Sequence, residues 1–386
     1  MNYLQQAQAL QNEMVAARRY FHQNAEIGFD LPLTLAYIEE KLTEMEVPFQ
    51  KIGKAGIVAT LGKGERCVLL RADMDALPMM EDSGVEFASV NDNTHSCGHD
   101  MHAAMLLGAC KMLKQNEDGL PGVVKLLFQP AEEILGGAAD CVAAGVLQNP
   151  KVDAAFGAHI MTGEPQYKVG TAFYSRGPAL YSGDACKIEV IGKASHGSSP
   201  YMGIDAINIA AHIVLALNEI ISREIPADEH SVVLVGKING GLTVNTTPGS
   251  CTMEVSVRTT TQEKREFLLK RVEEIAVNTA KVFRGEAIFT HVYGMGPLVC
   301  DENVADLAGE SLKKVGIEAE VVPTSSGTED FTAIAAQVPA VMVNLGAAPQ
   351  GVTLYPHHNP KMVADEAVMP YGAAAYVQFA FDFLNQ

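Results

Sequence analysis

Positive charge is scarce in this 386-residue chain: 28 Lys and Arg stand against 46 Asp and Glu, a formal net charge of −18. A surface that negative repels phosphate backbones and anionic lipid, so nucleic acid and membrane are set aside as partners. The same balance serves solubility and singles out no activity. No run of about twenty apolar residues is present to span a bilayer, and residues 1–30 lack the basic-then-apolar order of a secretory signal. The seven cysteines are an odd number scattered along the chain, which reads as thiols in a reducing compartment rather than a disulfide framework. A soluble, cytoplasmic protein is the expectation. Missing too are H-E-x-x-H, a G-x-S-x-G elbow, a Walker loop and a G-x-G-x-x-G after a strand. There is no fixed-period repeat and no low-complexity tract.

What is present is ordinary for a globular chain with a real core: 48% of residues are apolar and 19% charged. The length favours two domains. Leu4 to Phe21 and Leu33 to Met45 have helical periodicity. The runs Gly56–Leu61, Cys67–Arg71, Val123–Phe128, Ala154–Ala158 and Ala340–Leu345 read as strands, and Asp100–Lys114 as a helix between two of them. Strands alternating with helices predict an α/β domain with a central, mostly parallel sheet. The texture changes near Ser175-Arg176-Gly177-Pro178. Beyond it come alternating strands at Ala185–Ile191, Ser231–Ile238 and Cys251–Thr259, with helices at Ile204–Ile221 and Glu263–Phe283. That order predicts a smaller α+β module inserted into the larger domain. The expected boundaries are 1–178 and 294–386 for the α/β domain and 179–293 for the insert.

Groups able to bind a metal ion fall at chosen places. Cys97 and His99 lie in Ser96-Cys97-Gly98-His99-Asp100, just before a helix. Glu132 and Glu133 follow the Val123–Phe128 strand through Gln129-Pro130-Ala131. His159 ends the Ala154–Ala158 strand, and His358 lies downstream of Val341–Leu345. In an open α/β sheet the carboxyl ends of strands converge on one crevice, so these distant segments can meet. A lone histidine near a strand end is usually a core or surface residue, and the conjunction carries the argument. Imidazole, thiolate and carboxylate suit zinc or another first-row divalent ion. A pair of such ions polarises a carbonyl and acidifies water, and a free carboxylate beside them moves the proton to a leaving amine. This is the chemistry of amide hydrolysis.

The runs Arg71-Ala72-Asp73-Met74-Asp75-Ala76-Leu77-Pro78, His95-Ser96-Cys97-Gly98-His99-Asp100 and Phe128-Gln129-Pro130-Ala131-Glu132-Glu133 resemble the aminoacylase/carboxypeptidase metallopeptidases, in their amidohydrolase branch. The resemblance extends from Arg18-Arg19 and His22 to His358-Asn359-Pro360. It implies two divalent metal ions (Zn, Mn, Co or Ni) held by Cys97, His99, Glu133, His159 and His358, with Cys97 bridging both. It implies that Glu132 is the general base and acid. Asp73 and Asp100 would orient imidazoles, although a strand-end hydrogen bond for Asp73 and helix capping for Asp100 serve equally well. The insert resembles that family's ferredoxin-like lid and dimerisation domain. Within it, His196 of Gly192-Lys193-Ala194-Ser195-His196-Gly197 would reach a neighbouring subunit's site and stabilise the oxyanion. Asn245, after Gly240-Gly241, and Arg258 would bind substrate. The activity implied is hydrolysis of N-acyl amino acids by a homodimer or larger homo-oligomer. A dipeptidase or carboxypeptidase on the same machinery is the first alternative, and a non-catalytic metal-binding protein the second. The chain departs from the pattern at Ala25, where proline is usual, and at Thr246-Thr247 and Tyr355-Pro356-His357, where acyl or amino-acid pockets would lie.

Overall fold

Burial on both faces explains the apolar runs at the centre of the larger unit. In the computed structural model, which describes residues 2–386, every residue of the strands at Cys67–Asp73 and Val123–Gln129 is buried. Strands covered on both sides read as continuous apolar stretches, not as alternation. Two large sheets are built from β1 Phe49–Ile52, β2 Gly56–Gly62, β3 Cys67–Asp73, β4 Val123–Gln129, β5 Ala154–Met161, β6 Thr171–Tyr174, β7 Gly183–Ile191, β8 Ser231–Gly240, β9 Ser250–Thr259, β10 Glu286–Met295, β11 Glu318–Val321 and β12 Ala340–Gly346. The first has eight strands in the order β1-β2-β4-β3-β5-β12-β6-β11. Its centre, β4-β3-β5-β12, is parallel throughout, while β1, β2 and β6 add antiparallel pairings. Parallel neighbours end on the same side of a sheet, so Asp73, Gln129, Met161 and Gly346 share one edge.

The larger compact unit comprises residues up to Ala179, Val299–Pro323 and Glu329–Gln386. Helices α1 His99–Gln115 and α2 Met369–Leu384 pack together and onto β3 and β5. Helix α1 begins after Gly98, which sits at φ 89°; a Cβ there would meet Ile160 Cδ1 at 2.4 Å. Glycine therefore allows the Cys97–His99 turn to lie directly against the end of β5.

The smaller unit comprises Leu180–Leu298 and Thr324–Thr328. Its antiparallel sheet has the order β8-β9-β7-β10, with Cys186, Ile188, Val190, Met253 and Val255 facing a core shared with two helices, Ala206–Glu219 and Gln262–Val282. Alternation along β7 and β9 follows from one covered face. Ala206–Glu224 is, among the described residues, a stretch long and apolar enough to cross a membrane by length and composition. It is not an unbroken apolar run, being interrupted at Asn208, His212, Asn218 and Glu219. Here Ala206, Ile209, Ala210, Ile213 and Leu217 pack into the unit's core, while Asn208, His212, Asn218 and Glu219 are exposed.

Several sequence-based boundaries move. The helix expected over Leu4–Phe21 is two, Tyr3–Ala9 and Gln11–Gln23, because the backbone turns at Leu10. His159 does not end its strand. Pairing with β12 continues through Asn344↔His159 to Gly346↔Met161, and carries β5 two residues further.

Candidate metal centre

Four chain segments deliver the donors to the shared sheet edge. Cys97 Sγ lies 3.4 Å from His159 Nε2. The Nδ1 of His159 is engaged with the carbonyl of Ile160, so its Nε2 lone pair is the one directed at the cysteine. Glu133 reaches towards His99 Nε2 at 3.9 Å with one oxygen and towards His358 Nε2 at 3.4 Å with the other. Two donor triads result, Cys97–His99–His159 and Cys97–Glu133–His358, each with its donor atoms within 4.8 Å of one another. They share Cys97. A third, His99–Glu132–Glu133, places the second glutamate beside them.

The donors also carry the mark of a site built for an ion. Both ring nitrogens of His99 and Oε1 of Glu133 are buried without a hydrogen-bond partner. Such orphaned groups cost about 1–3 kcal/mol each unless something satisfies them. Burial pushes the Cys97 thiol up to about 12, so a thiolate there needs a cation against it. Burial also lowers the ring of His159 well below the ordinary histidine range, with His102 and His357 adding to it. The imidazole is held neutral, the form that ligates. A soft sulfur with imidazoles and a carboxylate fits first-row divalent ions and fits calcium or magnesium poorly.

Backbone conformation fixes the glutamate pair. Ala131 and Leu135, on either side of it, are left-handed at φ 57° and 55°, and His358 is left-handed at 59°. Strain of this kind, about 1–3 kcal/mol per residue, persists where the surroundings over-determine it. Part of that surrounding is Asp75, whose carboxylate accepts the backbone N–H groups of Glu132 (2.9 Å) and Glu133 (3.2 Å). Asp75 also lies 3.6 Å from His99 Nδ1. Glu132 is itself buried. Burial, followed by the neighbouring charge of Glu329, raises its carboxyl well above the usual range, and His99 opposes them. A divalent charge nearby acts in the same direction as His99.

Beneath the donors runs a buried ionic layer. Arg71, fully buried, donates to Gln129, Asp73, Glu329 and Asp330 over 2.7–2.9 Å. Burial with Glu329 pushes the Asp330 carboxyl up to about 7, while Arg71 pulls it down. Asp73 bonds His102, while the candidate ligand His99 is 3.8 Å away. Asp100 bonds Arg18 (2.7 Å) and His22 (2.8 Å). The imidazole it orients is thus His22, which lies outside the donor set.

In the smaller unit, Ser195-His196 pairs with Thr246-Thr247, and the Gly197 N–H donates to the Asn245 carbonyl at 2.7 Å. A Cβ on residue 197 would sit 2.7 Å from that oxygen, so glycine is what lets the His196 and Asn245 loops touch. Both side chains are exposed, His196 Nδ1 being 2.8 Å from Ser198 Oγ. Arg258 on β9 donates to the Ser326 carbonyl at 3.4 Å. Among the described residues no carboxylate lies within ion-pair distance of it.

The sequence pattern of peptidase family M20/M25/M40 matches residues 69–382. The chain belongs to this peptidase family. It is thereby a hydrolase of amide bonds. N-acetyl-L-cysteine deacetylase of Bacillus subtilis (strain 168) is 33% identical to it, over 93% of this chain and 85% of the relative. Thermostable carboxypeptidase 2 of Saccharolobus solfataricus is 32% identical, over 98% and 97%. The crystal structure of the Bacillus subtilis YXEP protein, described as a dinuclear metal-binding peptidase of the M20 family, superposes with a TM-score of 0.85 at 28% identity, covering 98% of this chain and 99% of that one. The resemblance read from the motifs and the α/β architecture with its mostly parallel sheet both agree with these matches. Asp75, His102, Arg71, Glu329 and Asp330 were not singled out as site residues from sequence. Arg71 and Asp75 lie inside the Arg71–Pro78 motif, and His102 lies one helical turn after His99, so the sequence carries a signal for all three.

Proposed function

We propose that the chain is a metal-dependent amidohydrolase that cleaves N-acyl amino acids. The observation that carries the reading is a cysteine shared by two donor triads with a free buried glutamate alongside. Bound at these triads, two divalent ions would polarise the amide carbonyl and acidify water near neutral pH. Cys97, His99 and His159 would hold one, and Cys97, Glu133 and His358 the other. Glu132 takes the proton from water and gives it to the leaving amine nitrogen. Asp75 keeps both glutamates in place through their backbone N–H groups.

The deacetylase relative supports the blocked substrate class, and the carboxypeptidase relative favours the rival of an unblocked peptide. Hydrolysis of a panel of N-acetyl, N-benzoyl and N-aromatic-acetyl amino acids and free dipeptides separates the two. The expected result is metal-restored cleavage of blocked substrates. Cleavage of free dipeptides alone would move the assignment to peptidase.

The smaller unit serves in this reading as a lid and dimerisation module. His196 acts on a partner subunit's oxyanion, and Asn245 and Arg258 bind substrate; among the described residues Arg258 has no acidic partner, which supports its holding a substrate carboxylate. Strand β8 supports self-association. It is a ten-residue edge strand carrying Val232, Leu234 and Ile238 exposed, and such an edge invites pairing with a second copy. Turnover per chain should fall on dilution below the dimer's dissociation constant; a fully active monomer, measured beside sedimentation, would remove the role of His196 in trans. All seven cysteines are buried free thiols, which supports a cytoplasmic setting.

A further inference from the structure

We infer that His102 is the positioning residue that sets the spacing between the two imidazoles His99 and His159. It follows His99 by three positions on α1, so the two side chains share one face of the helix a turn apart. His102 is fully buried. Its Nε2 accepts the backbone N–H of Ile160 at 2.8 Å. A ring nitrogen that accepts carries no proton, so the proton is on Nδ1 and is donated to Asp73 Oδ1 at 2.5 Å. Asp73 is held in turn by Arg71 Nη1 at 2.7 Å. An unbroken run of hydrogen bonds therefore crosses from β3, through helix α1, to the backbone of β5 at the residue after His159.

The ring packs against both candidate ligands, its centroid 5.3 Å from that of His99 and 4.5 Å from that of His159, which are 5.9 Å from each other. Turning it would displace both. Asp73, His99 and His102 also form a donor triad within 4.8 Å. Both nitrogens of His102 are already engaged, one by the backbone N–H of Ile160 and the other by Asp73. His102 thus orients ligands and is not one.

The inference rests on the reading of the site as a metal centre, and the test separates the two. Wild-type, His102→Gln and His102→Leu chains are stripped of metal, and their affinity for Zn and for Mn is measured by competition with a chromophoric chelator. Groups that orient metal ligands are typically worth ~10–100-fold in affinity, so His102→Leu should bind that much more weakly. Glutamine offers both a donor for Asp73 and an acceptor for Ile160, and His102→Gln should recover a large part of the loss. If His102 only fills space, leucine is the better substitute. His102→Leu binding as tightly as His102→Gln or more tightly overturns the inference while leaving the metal centre intact. A wild-type chain that binds neither ion overturns the metal centre and the inference with it.

Discussion

Replacing Glu132 by glutamine is expected to lower kcat by about 10²–10⁴-fold, the usual worth of a positioned proton shuttle, with metal content unchanged. The substitution keeps the volume and removes the basic oxygen. Geometry predicts the separation of effects. Glu132 belongs to neither of the two triads that share Cys97; its own groups are His99–Glu132–Glu133 and Glu132–Glu329–Asp330, beside those triads. Its backbone N–H remains bound to Asp75 whatever the side chain. Its buried neighbours Glu329 and Asp330 lie within 4.8 Å, and a neutral amide there relieves like-charge crowding, so the variant should fold at least as well as wild type. Turnover and metal content are measured on the same preparation. Unchanged turnover would remove Glu132 as the base, and lost metal would make it a ligand.

The parts of this molecule that were legible in sequence are those whose signal is local. The buried strands β3, β4, β5 and β12 announce themselves by unbroken apolar runs; the first three place a chemically distinctive group just beyond or at their ends, and His358 follows β12 twelve residues on. Strands β1 and β11 do not. They are four residues long, largely exposed and polar at Gln50, Lys51, Glu318 and Glu320, and their pairing rather than their composition makes them strands. The same limit applies around the metal centre. His102 gains its meaning from Asp73, 29 positions earlier, and from the backbone of Ile160, 58 positions later. Glu329 and Asp330 gain theirs from Arg71, more than 250 positions away. Asp100 had two local readings, cap or imidazole anchor. Its actual partners, Arg18 and His22, come from a helix that the sequence assigns only to the molecule's start.

Cys97 is the group common to the two donor triads. A shared thiolate couples the sites: removing it takes one donor from each triad at once, leaving His99 with His159 and Glu133 with His358. Orienting groups alone are worth ~10–100-fold in metal affinity, so losing a donor common to both ions should cost more than about 100-fold at each. The deciding measurement is a titration of chelated wild-type and Cys97→Ala chains with Co(II), following bound ions per chain, the sulfur-to-metal absorption band and hydrolysis of an N-acetyl amino acid together. The account predicts two ions per wild-type chain, a thiolate band that grows with both, and activity that returns with them; in Cys97→Ala the band is absent and both sites weaken. A wild-type ratio of one, or a Cys97→Ala chain that holds two ions as tightly and hydrolyses as fast, would contradict it.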